Sequence, residues 1–414
     1  MSIESYYHRP AMLSRLREGP LGCYIDLFAD QLQREGHCQQ GAWRNLRVVS
    51  DFSHWLARRH LDVGDISEQT VGAYQSFRRR YRCPAIFDRP ALNRLLRTLR
   101  DLGACPPRPI AASDFAAQIE EEFTHHLLQD RGLAKVSVAR HLPVVRMFLQ
   151  ERRIACVRDI SKLTGKDILD FVERHVHDHS PRSAQLMCWT LRSFARFMRY
   201  RDYMTSDLAA VVPSIRRWNL ASLPSYLLPD QIQSVLLDAS KRDTPVGRRD
   251  YAILLLLARL GLRANEIVSL DLDDIDWRAG TLVVHGKGRR CSELPLPADV
   301  GVALANYFKR GRPQSRSRRV FVRHLAPHRG LASSSAVFYI ARSALDRVGI
   351  DAVATRGAHL FRHSLATQLL RSGASLTQIG QLLRHESPDT TRIYAKVDVD
   401  ALRALGLPWP GGVR

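Results

Sequence analysis

The chain is expected to be a mainly α, multidomain protein. It reads as a helical segment over residues 1–105, a second over 111–213, and a last α+β domain over 226–414 with a small antiparallel sheet. Three observations predict this. In the first two segments apolar residues recur at helical spacing, with polar and basic residues on the other face. Two proline-rich breaks, Ala104 to Ile110 and Pro213 to Pro229, favour extended connectors over helix. From Tyr226 onward the pattern changes and includes two β-prone runs around Gly286-Lys287-Gly288. A length of 414 residues with 45% hydrophobic content suffices for two or three domains with sizeable cores.

The first two segments repeat one another. Setting Gly36 on Gly132 aligns Arg44 with Arg140, Leu46 with Leu142, Val48 with Val144, Val49 with Val145 and Phe52 with Phe148. After a small gap Asp65-Ile66 falls on Asp159-Ile160, so each copy is expected to be a short bundle of amphipathic helices. Within the second copy Ser180 suits a helix N-cap and Pro181 the first turn. The helix that follows, Arg182 to Tyr200, carries Arg182, Arg192 and Arg196 with Trp189, Phe194 and Phe197 among them. Such a basic stripe can straddle a DNA groove, or it is an ordinary solvated face. Arg216 and Arg217 in the second linker suit a DNA backbone, although many linkers are basic for solubility alone.

In the last domain a helix from Asp230 leads to a buried one, Tyr251 to Leu260, and then to Gly261-Leu262-Arg263-Ala264-Asn265-Glu266. Thr281 to Val284 and Ser292 to Leu296 read as a hairpin with Lys287 at or near its tip. Helices are expected to resume from Ser333. The stretch Gly311 to Arg319, with Arg316 and Arg318, reads as a flexible basic loop or turn making backbone contacts.

Composition narrows the function classes. Lys plus Arg number 62 against 41 Asp plus Glu, a net charge of +21 and a pI of about 10.3. That imbalance suits a partner rich in phosphate, and the preference for Arg suits bidentate phosphate recognition. A polyanion-sticking or ribosome-associated protein is the bland alternative. The first ten residues lack a secretory pattern, and the longest apolar run, Ala252 to Leu262, is interrupted by Arg259. Seven cysteines without paired short spacing read as reduced cytosolic thiols. The expected location is the cytoplasm, with the nucleoid as the place of work, and a bacterial source.

Four residues near the C-terminus can surround one phosphate: His359, Arg362, His385 and Tyr394. His359 and Arg362 lie three apart on a helix start and share a face. His363 is expected to point elsewhere, for packing or a supporting hydrogen bond. Arg263 at its glycine-marked bend needs an anionic partner, and Glu266 three residues on fits that role, or the two form a purely local ion pair. Tyr394 must become a phenolate to attack, and a cluster of cations is expected to lower its pKa from about 10. Lys287, with Arg289 beside it as a candidate DNA contact, is a reasonable general acid. The run His175, His177, His179 reads as a solvated loop before a helix N-cap, and no metal is expected there. No Gly-x-x-x-x-Gly-Lys-Ser/Thr phosphate loop occurs.

Taken in order, Arg263, Lys287, His359, Arg362, His385 and Tyr394 match the six-part pattern of the tyrosine recombinases of the phage integrase family, which this chain resembles from roughly Tyr226 to the end. The segment from Asp114 to Pro213 is similar to the family's SAM-like, helical core-binding domain. The resemblance implies a catalytic domain over 226–414 and an N-terminal DNA-binding-like domain over 1–105. It implies a site-specific recombinase or integrase: Tyr394 attacks a scissile phosphate to give a 3′-phosphotyrosine and a free 5′-hydroxyl, with no metal, nucleotide or other cofactor. The implied partners are double-stranded DNA and either a homotetramer on DNA or an assembly with related recombinases. The extra N-terminal segment is similar to recombinases carried by transposons. A tail spacing Val399, Leu402 and Leu405 along one helical face docks, in the family, on a neighbouring subunit. Alternatives are a catalytically silent DNA-binding accessory protein and a type IB topoisomerase-like nicking enzyme. Two departures stand out: Leu383-Arg384-His385 replaces Leu-Gly-His, with Arg384 expected to face DNA or solvent, and Phe361 replaces a Leu.

Overall fold

The computed structural model describes residues 3–7, 9–81, 87–107, 115–215, 224–286, 290–351, 357–385 and 387–396. Of the expectations above, those on Arg216, Arg217, Lys287, Arg289 and the tail beyond 396 lie outside the described residues. The chain divides into two compact units, one of Met1–Pro107 with Ser222–Arg414, the other of Arg108–Ala221. No described helix is long and apolar enough to cross a membrane.

The N-terminal helices are α1 (Pro10–Leu16), α2 (Ile25–Arg34), α3 (Gln39–Arg58), α4 (Glu68–Tyr81) and α5 (Asp88–Asp101). They enclose a core built around Phe28, Leu46, Phe52 and Leu99. The other unit holds α6 (Phe115–His125), α7 (Lys135–Glu151), α8 (Val157–Ser161), α9 (Gly165–Val176) and α10 (Pro181–Tyr200), packed around Phe123, Phe148, Phe171 and Phe194.

The internal repeat has a structural counterpart. Gly36 and Gly132 both take positive φ, +80° and +62°, just before α3 and α7. That backbone region costs a residue with a Cβ but not glycine. The aligned Val49 and Val145, and Phe52 and Phe148, are buried. Further on, Asp65 accepts the Asp62 N–H at 2.9 Å and Asp159 accepts the Cys156 N–H at 3.1 Å. The Ile that follows each of these carboxylates is buried, so the turn and its anchor recur together.

On α10, the Ser180 hydroxyl accepts the Ser183 N–H, which is the expected cap. Phe194 and Phe197 face the core, whereas Trp189 is 55% exposed. Arg192 bonds to the Val212 carbonyl at 2.9 Å, so it fastens its own unit, while Arg182 and Arg196 are exposed. His175 departs from the loop expectation: it lies on α9 and meets Glu151 at 2.8 Å.

The C-terminal region contains α11 (Pro229–Ser240), α12 (Pro245–Leu260) and α13 (Ala264–Ser269). The sheet follows, with β1 (Ile275–Asp276), β2 (Thr281–His285) and β3 (Cys291–Pro295) antiparallel in that order. Leu282 pairs with Leu294, and both are buried on the sheet's inner face. The Gly286 N–H donates to the Arg290 carbonyl at 2.8 Å and closes the hairpin. Helices resume earlier than expected, at α14 (Ala298–Arg310). Its buried Val300, Ala303, Leu304 and Tyr307 fall at i, i+3, i+4 and i+7, a signal present in the sequence. The last described helices are α15 (Ser334–Arg347), α16 (Ala358–Arg371), α17 (Leu376–Leu382) and α18 (Pro388–Arg392).

The basic stretch 311–319 also differs from expectation. Arg312 donates to the Ser317 and Arg319 carbonyls at 2.7 and 2.9 Å, and Arg319 meets Asp271 at 3.0 Å. Arg318 pairs with Asp273, leaving Arg316 exposed to solvent. Internal hydrogen bonds and acidic partners in the 271–274 turn hold a segment whose composition alone suggested a loose loop.

Candidate active site

The site is built on α12, the most buried helix of the C-terminal core, with Ile253, Leu254, Leu255, Leu256 and Leu257 all enclosed. Gly261 caps it in the left-handed region, at φ +56°. A Cβ there would stand 2.8 Å from the Leu383 side chain and 3.1 Å from Leu365. Glycine therefore serves both the turn and the close approach of the segment carrying His385.

Two residues past this cap, Arg263 takes the N-cap position of α13. Its N–H donates to Glu266 Oε2 at 2.8 Å and its Nη1 to Oε1 at 2.7 Å. The carboxylate thus satisfies an otherwise orphaned helix-terminal donor and the guanidinium together. Glu266 is 3% exposed. Burial pushes its carboxyl up, but the Arg263 amide, Arg384 and the Arg263 guanidinium outweigh it and hold the group below its ordinary value.

Arg384 is the residue the sequence misplaced. Its side chain turns inward, and Nη2 meets Glu266 Oε2 at 3.0 Å instead of facing DNA or solvent. The backbone at Arg384 has φ +56°, a region that favours glycine. This explains physically why a glycine suits that position and identifies the ion pair that arginine gains there.

Helix α16 contributes from two directions. Arg362 is 3% exposed; it donates through Nη1 to the Gly261 carbonyl at 2.6 Å and through Nη2 to the Leu383 carbonyl. Burial first, then Arg263 and Arg384, bring its pKa down to about 9. Phe361 fills the core beside it. His359 is exposed, and its ring lies 6.3 Å from that of His363. His363 does more than pack: its Nδ1 lies 2.9 Å from the Tyr394 hydroxyl. Successive helical residues differ by about 100° in direction, so Arg362 and His363 flank the phenol region from different sides. The signal for His363 was its i, i+4 relation to His359.

His385 has Nδ1 2.7 Å from the Thr391 hydroxyl, and its ring stacks nearly parallel to Tyr394 with centroids 6.2 Å apart. Burial, followed by Arg362 and Arg263, pushes its pKa down to about 4. His363 is likewise brought to about 4, by burial and then by His359 and Arg362. Both imidazoles are therefore neutral at pH 7. Tyr394, in a 3-10 turn over Ile393–Lys396, is 1% exposed. Its pKa overturns the sequence expectation: burial raises it to about 12, against the lowering pull of Arg362 and Arg263. Desolvation of a phenolate outweighs the cationic field in the DNA-free chain.

An open cleft of about 620 Å³ borders this cluster, lined by Arg263, Arg290, Arg384, His385 and Arg392. Gly286 and Arg290, the described residues flanking the hairpin tip, both line it. Among the described residues no group of three His, Cys, Asp or Glu side chains is arranged to hold a metal ion. The chemistry on offer is electrostatic: guanidinium groups at the edge of a cleft, two neutral imidazoles and a shielded phenol.

A mainly helical fold with this small antiparallel sheet is that of the tyrosine recombinase and integrase class. The recombinase XerH, in a crystal structure titled as its post-cleavage complex with a palindromic difH substrate, superposes with a TM-score of 0.55. That likeness spans 76% of this chain and 88% of XerH at 17% identity. Residues 225–400 match the Phage integrase family. An inferred integrase/recombinase of Sinorhizobium fredii (strain NBRC 101917 / NGR234), y4rA, is 44% identical over 402 residues, covering 96% of this chain and 97% of the relative. Tyrosine recombinase XerD of Mycobacterium tuberculosis (strain ATCC 25618 / H37Rv) is 31% identical over 306 residues, 70% of this chain and 95% of that protein. The chain belongs to the phage integrase family of tyrosine recombinases, and its enzyme class is that of site-specific recombinases.

Proposed function

We propose that this protein cuts and rejoins double-stranded DNA at specific sites through a 3′-phosphotyrosine on Tyr394. The observation that carries the reading is the enclosure of Tyr394 beside the His385 ring and within the field of Arg362 and Arg263. Arg263 and Arg362 bind the non-bridging oxygens of the scissile phosphate and neutralise the charge that grows as phosphorus becomes pentacoordinate. For Arg362 this means exchanging the Gly261 and Leu383 carbonyls for phosphate. Glu266 holds Arg263 in place, and His359 and His385 supply further hydrogen bonds to the phosphate. Lys287 protonates the departing 5′-oxygen. The free 5′-hydroxyl of a partner strand later attacks the phosphotyrosine and releases Tyr394.

DNA is held on basic surfaces. Arg182 and Arg196 beside exposed Trp189, and Arg216, Arg217, Arg289 and Arg316, contact the backbone. Arg192 and Arg318, already engaged within the protein, contribute less. The N-terminal helices add a further face where Arg9, Arg15, Arg44 and Arg47 surround Trp43 and Tyr7. The functional assembly is a homotetramer on DNA or a complex with related recombinases, serving a mobile element.

The test is covalent capture. The full-length chain is incubated with a library of nicked, randomised duplexes, and protein-linked DNA is recovered after denaturation. Wild type is expected to yield an adduct that Tyr394→Phe abolishes while still binding DNA. Binding by both proteins with no adduct from wild type sinks the enzymatic reading. Relaxation of random plasmid over many turnovers, without site preference, would point to a topoisomerase instead.

A further inference from the structure

We propose that His363 is the base that takes the proton from Tyr394, its Nδ1 accepting the phenolic hydrogen as the phenol attacks phosphorus. This rests on the recombinase reading above and adds a proton acceptor to it.

The geometry carries the inference. Nδ1 of His363 and the hydroxyl oxygen of Tyr394 are 2.9 Å apart, within direct proton-transfer distance. The two rings meet edge-on, with centroids 5.6 Å apart and an interplanar angle of 60°. The alternatives are less well placed: His385 stacks on the phenol ring with its Nδ1 engaged by Thr391, and His359 is exposed.

Direction follows from electrostatics. The groups facing this pair are His359 and Arg362 on α16, Arg263 beyond the α12 cap, and His385 after α17. Arg362 and Arg263 favour negative charge on the phenolic oxygen, while Arg362 and His359 disfavour positive charge on His363. Burial keeps the phenol protonated against that pull, and burial with the charges on His359 and Arg362 keeps the proton off His363, so the shared hydrogen sits on oxygen, pointing at a bare Nδ1, with the imidazole proton on Nε2. The field cannot strip Tyr394 by itself, because burial keeps the phenol protonated. An adjacent acceptor resolves this difficulty.

Phosphate completes the device. An anion bound at Arg362 offsets that arginine's part in weakening His363 as a base, so its basicity rises when DNA is in place. In the step itself the Tyr394 O–H bond breaks and its proton moves to Nδ1. The O–P bond forms, the bond from phosphorus to the 5′-oxygen breaks, and the 5′-oxygen is protonated by the separate acid. In the reverse step the His363 imidazolium returns its proton to Tyr394.

Two measurements on the full-length chain test this. Imidazole ¹⁵N spectra, assigned by comparison with His363→Asn, should show an unprotonated Nδ1 whose shift moves in Tyr394→Phe. A proton resident on Nδ1 overturns the proposal. The second is single-turnover cleavage of a duplex captured with wild type. His363→Asn keeps an acceptor oxygen near Nδ1 but cannot take up the proton. It should bind DNA normally and cleave roughly 100-fold or more slowly, with a rate that climbs steadily with pH where wild type levels off. Cleavage at the wild-type rate and pH profile would reduce His363 to a positioning group and defeat the inference, leaving the recombinase reading intact. If wild type forms no Tyr394-dependent adduct, the broader reading fails and this inference fails with it.

Discussion

Arg384 and Glu266, 118 residues apart in sequence, meet at 3.0 Å in the wall of the site, and Glu266 at the same time holds Arg263. One buried carboxylate therefore fixes two guanidinium groups. Arg263 remains partly open to the cleft, and Arg384 ties the His385 segment to α13.

Removing that carboxylate should be costly. Glu266→Ala is expected to lower stability by about 3–5 kcal/mol, since it leaves desolvated arginines unpaired. The cost should shrink in an Arg384→Gly background, where one of those arginines is absent and the positive-φ position is relaxed. Urea unfolding of both single variants and the double variant forms the cycle, and additivity within about 0.5 kcal/mol would show the pair to be uncoupled.

Gly261→Ala is expected to destabilise by about 2–4 kcal/mol, combining a positive-φ cost with overpacking against Leu383 and Leu365. The same change should reduce adduct formation, because Arg362 is bonded to the Gly261 carbonyl. A neutral result in urea unfolding would mean that Leu383 yields freely.

Stability should fall as pH drops from about 6.5 towards 4. His363 and His385 have folded-state pKa values lowered to about 4, so between the unfolded value of about 6.5 and that point the unfolded chain binds more protons. Their contribution is complete above 6.5 and is lost as pH falls through the folded values. Thermal melts across this range should show a smaller pH dependence in His385→Gln than in wild type. Identical slopes would place His385 in solvent.

The Tyr394 phenol should remain protonated in the free protein at pH 10. Difference spectra between wild type and Tyr394→Phe, followed through an alkaline titration, should show its phenolate band appearing only near pH 12. A band growing in at pH 8 to 9 would restore the view that the arginines alone activate it.

Arg44→Ala with Arg47→Ala should weaken DNA binding across sequences. Each lost phosphate contact reduces the slope of log affinity against log salt by roughly 0.9. Binding titrations at several salt concentrations measure this, and an unchanged slope would remove the N-terminal face from the DNA interface.

Much of the architecture was legible in the residues. The capped start of α10, the hairpin and the repeat each rest on local rules: a serine before a proline, glycines between β-prone runs, and apolar residues at helical spacing. Glu266 was found as the partner of Arg263 because three residues along a helix start is a local relation. Arg384 was misread, and the partner of the His363 supporting hydrogen bond was missed, for the opposite reason. Whether an arginine after a helix points out or in depends on what is packed behind it, and the partner here lies on α13. Likewise, no local rule states that the residue after Arg362 meets a tyrosine in a 3-10 turn 31 residues later.

The order and chemical types of Arg263, His359, Arg362, His385 and Tyr394, the helical character of the segments and a charge suited to polyphosphate can all be read from the residues in line. Which way those groups act was set by folding. Burial, set by the packing of many distant apolar side chains, raises the Tyr394 phenol although its neighbours are cations. Packing also directs Arg384 to Glu266 and His363 to the phenol. Charge and spacing are written along the chain, whereas desolvation and side-chain direction exist only once the chain has closed around them.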